Sequence, residues 1–545
     1  MLPVKSQCLP FAQIPHTTRL FTDFLAYSPN VQSFFPHSPH FREWLGSQAS
    51  ALQYDSPRRE RVSAILERQN KSWDASLQTL SNLSRLRGGA AAIVTGQQVG
   101  LFGGPMFAIY KALTAVKLAE EATSAGVDAV PVFWLASYDH DLAEVNHVSM
   151  PGPDGLLRTL TTSSHGIAGA PVSEVRLGDE ILPVVEEAAS LLGESEATQF
   201  LRESYRPGEN LGTAFARFYA RLFAEWGVIL LDASDPELHR IAVPIYRAAV
   251  ERAPEIDDAL LARGRALEAA HYHQQVKVTP SSVLLFTVQN GVRTQIQRRA
   301  KGGSPEFAIG NEMSGEKLSA AELLNRISTT PEKFSPNVLL RPVVQDYLLP
   351  TLAYAGGAAE AAYFAQVGTV YAKILGRVTP IVPRFSATVV EPKVQRWLRQ
   401  YFITVLDTFH GSEALRHTLA ARTLPADLQA AFARANTAVE ESFSSLHEAL
   451  ARLDPTLVEA SQTAVSKAHY QLERLRERAM AAELRRSDVI GRHAETLSHA
   501  LFPNGGLQER GVAGVYYMAR HGTDLLHSLH QSMRTDCLDH QILEL

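Results

Sequence analysis

The segment from Ala90 to Ala136 constrains this chain more than any other. Ala90 to Thr95 is a short apolar run that reads as a buried strand. It passes into Gly96-Gln97-Gln98-Val99-Gly100-Leu101-Phe102-Gly103-Gly104-Pro105, after which Met106, Ile109, Leu113, Val116 and Ala119 recur at helical spacing. Pro105 suits the first turn of that helix and Gly126 suits a left-handed cap at its end. Val127 to Ala136 is a second apolar run. Strand, loop, helix and strand make a βαβ unit, which requires parallel strands.

Weaker signals extend the pattern. Gly227 to Asp232, Val338 to Val344 and Thr379 to Pro383 read as further strands, and Gly356-Gly357 opens a helix. Val283–Val288 and Val292–Ile296 flank Asn290-Gly291, a hairpin signal. Arg61 to Leu86 reads as one long helix, residues 236 to 275 as helical, and residues 303 to 335 as loop-rich. From about residue 391 the character changes. Leu428, Phe432, Ala435, Val439, Ser442, Leu446, Leu450 and Leu453 alternate by four and three, as in a heptad. Asp454-Pro455 breaks the run, and Val465, Ala468, Leu472, Leu475, Ala479 and Ala482 resume it. The expected architecture is α/β. A parallel-sheet core spans 1–390, with inserted segments at about 150–225 and 236–335. An antiparallel helical coiled coil spans 391–490, and a helical segment, 491–545, returns to the core.

Composition excludes several function classes. The net charge of −5 over 545 residues does not suggest a nucleic-acid partner, and local basic patches such as Arg474, Arg476 and Arg478 read as a solvated helix face. No run of about 18 apolar residues occurs, so no membrane span is expected. The N-terminus lacks a basic region followed by an apolar stretch, so the cytoplasm is the default location. Cys8 and Cys537 are the only cysteines, which rules out a disulfide framework and a multi-cysteine zinc site. Any cysteine chemistry then concerns a substrate.

Three clusters carry candidate chemistry. The first is the glycine loop, where Gly96, Gly100, Gly103 and Gly104 let backbone amides approach an anion at a helix start. Gln97 and Gln98 add amide groups there, and Lys111 follows inside the helix. The loop matches neither the dinucleotide fingerprint nor a P-loop, and a tight structural turn is the plain alternative. The second cluster is Tyr138-Asp139-His140-Asp141, just past the second strand. His140, Glu144 and His147 would share a helical face there, as acid–base groups, metal ligands or a solvated helix start. The third is Arg341, Gln345 and Asp346, followed by Gly357, Glu360 and Tyr363. Arg341 can neutralise a carboxylate or phosphate, or pair with a buried aspartate. Arg384 ends a strand and is a lesser candidate.

TGQQVGLFGGPMFAIYKA at 95–112, PVFWLASYDHDLAEVNHV at 131–148 and LRPVVQDYLLPTLAYAGGAAEAAYFAQ at 340–366 resemble the bacillithiol-biosynthesis cysteine-adding enzymes. GVILLDASDP at 227–236 and LFPNGGLQERGVAGVYYMARHG at 501–522 look like the same family, in the same order. Two departures occur: Tyr138 replaces an acidic residue, and Gly357-Ala358 replaces Gly-Pro. The resemblance implies a Rossmann-like core related to class I aminoacyl-tRNA synthetases and nucleotidyltransferases, and a coiled coil that supports a homodimer. It also implies a ligase that joins cysteine to the amine of glucosaminyl malate.

On that expectation His140, oriented by Asp139 or Asp141, removes a proton from the sugar amine. The loop amides, with Lys111 or Arg341, stabilise negative charge. The remaining candidates bind substrate or nucleotide. Neither a metal nor a tightly bound cofactor is expected; ATP or another nucleotide can serve as an activating cosubstrate. A synthetase-like ligase with another acceptor, and a non-catalytic dimeric scaffold that senses a small anion, are the alternatives.

Overall fold

The computed structural model describes residues 4–163, 166–301, 304–310, 315–486 and 488–545. Five parallel strands form its central sheet: β1 (Ala91–Gln97), β2 (Ala129–Leu135), β3 (Ile229–Asp232), β4 (Thr351–Gly356) and β5 (Ile381–Pro383). Their spatial order is β5-β4-β1-β2-β3. This is the doubly wound order, in which the direction of winding reverses between β1 and β4. The strands are almost wholly apolar because helices cover both faces. Ile93, Leu352 and Ala353 pack with Trp44, Leu45, Leu118 and Ala119 in one buried cluster.

The first crossover follows the sequence closely. Pro105 caps the helix Met106–Ser124, and Gly126 follows it at φ 88°. β1 and β2 then pair in parallel from Ala91↔Ala129 to Gln97↔Leu135. Thr95 donates its hydroxyl to the Ala355 carbonyl at 2.8 Å, which ties β1 to β4 beside the reversal point.

Local chemistry overrides several sequence expectations. The single helix read over Arg61 to Leu86 is two, Ser56–Ser72 and Leu77–Gly88. Asp74 turns the chain at φ 57°, and the Ser76 side chain accepts from Thr79 N to start the second helix. Residues 236 to 275 likewise hold two helices, Pro236–Glu251 and Ala253–Ala269. The Val338 to Val344 run is not a strand. Asn337 accepts from the amides of Leu339 and Leu340, and the helix Arg341–Leu348 follows. The stretch after residue 303 is ordered rather than loop-rich. It supplies strands Ser304–Ile309, Glu316–Ser319 and Phe334–Pro336 and the helix Ala320–Thr329. With the predicted hairpin, Ser282–Gln289 and Val292–Lys301, these strands form a separate antiparallel sheet of five. Asn290 at φ 52° and Gly291 at φ 79° make its turn.

The chain divides into two compact units: Met1–Gly152 with Leu157–Thr388 and Glu509–Leu543, and Pro153–Leu156 with Val389–Gln508 and Glu544–Leu545. The second unit contains the helices Ala426–Leu453 and Leu457–Arg486, which pack against each other as a hairpin. His469 and Asn436 meet across it at 3.0 Å. In the first unit, Cys8 and Cys537 are disulfide-bonded. Sequence separation hid this pair, because only the folded sheet brings the first strand, Lys5–Leu9, beside the last, His540–Glu544. No helix among the described residues is long and apolar enough to cross a membrane.

Candidate functional site

Open α/β sheets bind ligands at the carboxyl ends of their strands, where the winding reverses. A cluster of polar and charged side chains lies there. A cavity of about 350 Å³ is walled by Gly96, Gln97 and Gln98 at the end of β1, and by Trp134, Ala136 and Asp139 after β2. Tyr354, Gly357 and Glu360 close it at the end of β4, Arg384 after β5, and Lys111, Arg341, Tyr363 and Arg510 from nearby helices. A second cavity of about 380 Å³ adjoins it and shares Ala136, Asp139, Val338 and Arg341. Its far wall is the antiparallel sheet, through Leu284, Phe286, Arg293 and Gln295.

Charge in the first cavity is only partly balanced. Lys111 is 4 % exposed, and its ammonium donates to Gly96 O at 2.7 Å and Gln97 Oε1 at 2.9 Å and pairs with Glu360 Oε2 at 2.8 Å. All three of its protons are therefore used within the protein, and it holds the β1 turn to the helix Ala358–Ile374. Burial lowers its pKa to about 8, against the opposing pull of Glu360. Burial raises the Glu360 pKa, but Lys111, Tyr354 and the Gly357 amide outweigh it and the net shift is downward.

Arg384 is committed too. Its Nη2 lies 2.5 Å from Glu509 Oε1 and its Nη1 3.1 Å from Oε2. Arg341 is different. It is 8 % exposed, donates only to Gln345 Oε1 and Tyr363 Oη, both at 3.0 Å, and stands over the Tyr354 ring. Among the described residues it has no carboxylate partner. A buried guanidinium without a counter-charge is costly unless an anion completes it.

Only the start of the glycine loop, Gly96 to Gln98, reaches the cavity. Gly100, Gly103 and Gly104 are absent from the cavity wall. Their amides are already spent, on Gln98 O at 3.1 Å, Tyr205 Oη at 2.9 Å and Leu101 O at 2.9 Å. The helix start at Met106 is likewise occupied, by the Val512 carbonyl at 2.9 Å. The loop is a structural turn, with Phe102, Gly103 and Gly104 all at positive φ. The helix start that does face the cavity is at Gly357 to Glu360, where the amides of Ala358 and Ala359 have no partner within the helix.

The second cluster is partly assembled. Asp139 lines both cavities; its Oδ2 accepts from Gln98 Nε2 at 2.9 Å and its Oδ1 from the His140 amide at 2.9 Å. His140 stands behind Asp139 and outside both walls, and Asp141 is exposed. The shared helical face of His140, Glu144 and His147 does not form. The helix there is Leu142–Val145 alone, and His147 begins a strand paired to Leu157–Thr161. Among the described residues no three His, Cys, Asp or Glu side chains gather to hold a metal ion. In the third cluster, Gly357, Glu360 and Tyr363 line the cavity with Arg341. Gln345 and Asp346 do not: Gln345 orients Arg341 and donates to Asp346, which also accepts from Tyr371 Oη.

Sequence reasoning missed Arg293, Glu509 and Arg510. The last two sit in the quoted 501–522 motif, so a signal existed. Arg293 carried none beyond its place next to the Asn290-Gly291 turn.

Comparison with known proteins matches the two-part organisation of the chain. Residues 4–385 match the family model described as the bacillithiol biosynthesis BshC N-terminal Rossmann-like domain, and residues 387–545 its C-terminal coiled-coil domain. Relatives named "Putative cysteine ligase BshC" include one from Koribacter versatilis, 49 % identical over 98 % of this chain and 99 % of its own. Others come from Solibacter usitatus, 36 % identical over 98 % and 99 %, and Salinibacter ruber, 33 % identical over 96 % of each chain. A parallel core whose cavity sits at the winding reversal, followed by a helical hairpin and matched from end to end, places this chain in the BshC family of bacillithiol biosynthesis.

Proposed function

We propose that this protein is a ligase that forms an amide between the carboxyl of cysteine and the amine of glucosaminyl malate. The relatives' shared name supports the reaction class. The observation that carries the reading is Arg341: a buried guanidinium, bonded to no carboxylate among the described residues, in a cavity of about 350 Å³ beside a second of about 380 Å³. Both substrates are carboxylates, and a planar guanidinium binds a carboxylate through paired hydrogen bonds. Two adjoining spaces suit two substrates that must meet.

A carboxylate does not condense with an amine in water unless it is activated, and ATP or another nucleotide is our candidate cosubstrate. In this reading Arg341 and the Gly357–Glu360 helix start hold the activated carboxyl, while Lys111 and Arg384 keep the walls in place. Gln97 and Gln98 orient polar groups of the substrates. The attacking amine loses a proton, and Asp139, which lines both spaces, is the group we assign to receive it. Alignment of the two substrates supplies much of the rate.

The enzyme acts in the cytoplasm as a homodimer in this reading. The helix Ala426–Leu453 has no fully buried residue, and Leu446, Leu453, Tyr470 and Leu475 of the hairpin are exposed, as an apolar stripe awaiting a second copy would be. The core's relation to class I synthetases and nucleotidyltransferases belongs to the same proposal.

The test is incubation of purified protein with cysteine, glucosaminyl malate and ATP, with the product followed by mass. A product heavier than glucosaminyl malate by a cysteinyl residue is expected. Exchange of ATP with pyrophosphate driven by another amino acid would favour a different ligase. Binding of glucosaminyl malate without consumption would leave only a sensor.

A further inference from the structure

Arg293 projects from the strand Val292–Lys301 and is 8 % exposed. Its guanidinium is fixed on every side. Nε donates to Ser335 Oγ at 3.0 Å and Nη2 to Pro336 O at 3.0 Å, while the group lies over the Phe286 ring at 3.9 Å. That leaves the second proton of Nη2 and the two protons of Nη1. Nη1 lies 3.4 Å from Asp139 Oδ1 and 3.1 Å from His140 Nδ1. A guanidinium does not lose its proton in a protein, and all its groups are donors. The nitrogen it meets must therefore offer a lone pair.

We infer that Arg293 holds His140 as the neutral tautomer protonated on Nε2, so that this imidazole offers a ligand a hydrogen-bond donor and not a proton acceptor. The competing arrangement places the proton on Nδ1, directed at Asp139 Oδ1 3.3 Å away. It would set that N–H against the Arg293 N–H at 3.1 Å. Asp139 Oδ1 also already accepts from the His140 amide and from Arg293. A doubly protonated ring meets the same clash, with charge repulsion added. Nε2 has no protein partner among the described residues, and the side chain is 39 % exposed, so its proton is free for an oxygen acceptor such as a carboxylate or carbonyl. Arg293 is thus a positioning residue that acts through His140. It replaces the proton-removing role that sequence alone assigned to His140. The catalytic consequence rests on the ligase reading; the tautomer does not.

Long-range proton–nitrogen correlation spectra of full-length protein labelled with ¹⁵N-histidine decide the matter, with His140→Gln identifying the His140 signals. The expected result at neutral pH is a protonated Nε2, recognised by its coupling to both ring carbon protons, and an unprotonated Nδ1. Protonation of Nδ1, or of both nitrogens, overturns the inference. In Arg293→Met the tautomers should redistribute, and an unchanged His140 spectrum there removes Arg293 from the account. If that variant does not fold, the wild-type spectrum alone still decides. In the amide-forming assay, His140→Ala should lower kcat. His140→Gln, which keeps an N–H donor, should recover part of that; recovery of none counts against a donor role. Should the protein consume no glucosaminyl malate while Nε2 is protonated, the ligase reading fails and the tautomer assignment stands.

Discussion

Lys111 Nζ and Glu360 Oε2 lie 2.8 Å apart, and this contact joins the helix that follows β1 to the helix that follows β4 across the winding reversal. Glu360 also accepts from Tyr354 Oη at 2.5 Å and from the Gly357 amide at 2.8 Å, so one carboxylate organises a whole side of the cavity. Replacing Glu360 with Gln should cost about 3 kcal/mol of stability, because it strands a buried cation. Denaturant unfolding measures this. A loss below about 0.5 kcal/mol would show that the pair does not hold the two helices.

The same lysine gives stability a pH signature. Its folded pKa, about 8, lies below the ordinary lysine value of 10.5. Between these values the unfolded chain holds the extra proton, so this group's contribution to stability rises with pH across that window. Wild type should therefore gain Tm relative to Lys111→Met between about pH 8 and pH 10. A Tm difference that does not change with pH would contradict the burial effect.

Arg341 should separate stability from activity. Removing a buried, unpaired cation relieves a desolvation cost, so Arg341→Met should keep or raise Tm. The loss of charged hydrogen bonds to substrate should lower kcat/KM about 10- to 100-fold. Unaltered kinetics would remove Arg341 from the binding site.

Arg384 and Glu509 form the opposite case, a buried guanidinium with its carboxylate in place. Glu509→Gln should cost about 3–5 kcal/mol, and the apolar double replacement Arg384→Met with Glu509→Leu should recover much of it. A double-mutant cycle measures the coupling. Additive losses would mean that the two side chains act independently.

In the glycine loop, Gly103 and Gly104 both have positive φ, but only Gly103 is enclosed. A Cβ there would lie 2.7 Å from the Phe218 ring, whereas at Gly104 it would meet only Gly100 Cα at 3.9 Å. Gly104→Ala should cost about 1–2 kcal/mol for the backbone alone, and Gly103→Ala clearly more. Because the amides of Gly100, Gly103 and Gly104 are spent within the protein and these residues stand off the cavity wall, the folded fraction of Gly104→Ala should retain full kcat. A lost kcat would restore the loop to the site.

Much of the core was determined by the sequence. Apolar runs separated by a helical stripe require a parallel crossover, whatever the rest of the chain does, and the period of four and three requires paired helices. Both are local patterns whose physical cause lies within a few residues. The site was legible only in part, since residue type marks what a side chain can do and not what it has already done. Lys111, Gly103 and Gly104 have the chemistry of anion binding, yet folding has used their donors on Gln97, Tyr205 and Leu101. Only tertiary structure decides which polar groups remain unspent. It brings Arg293 from a distant sheet to His140, seats Glu509 against Arg384, joins Cys8 to Cys537, and leaves Arg341 with no carboxylate partner among the described residues.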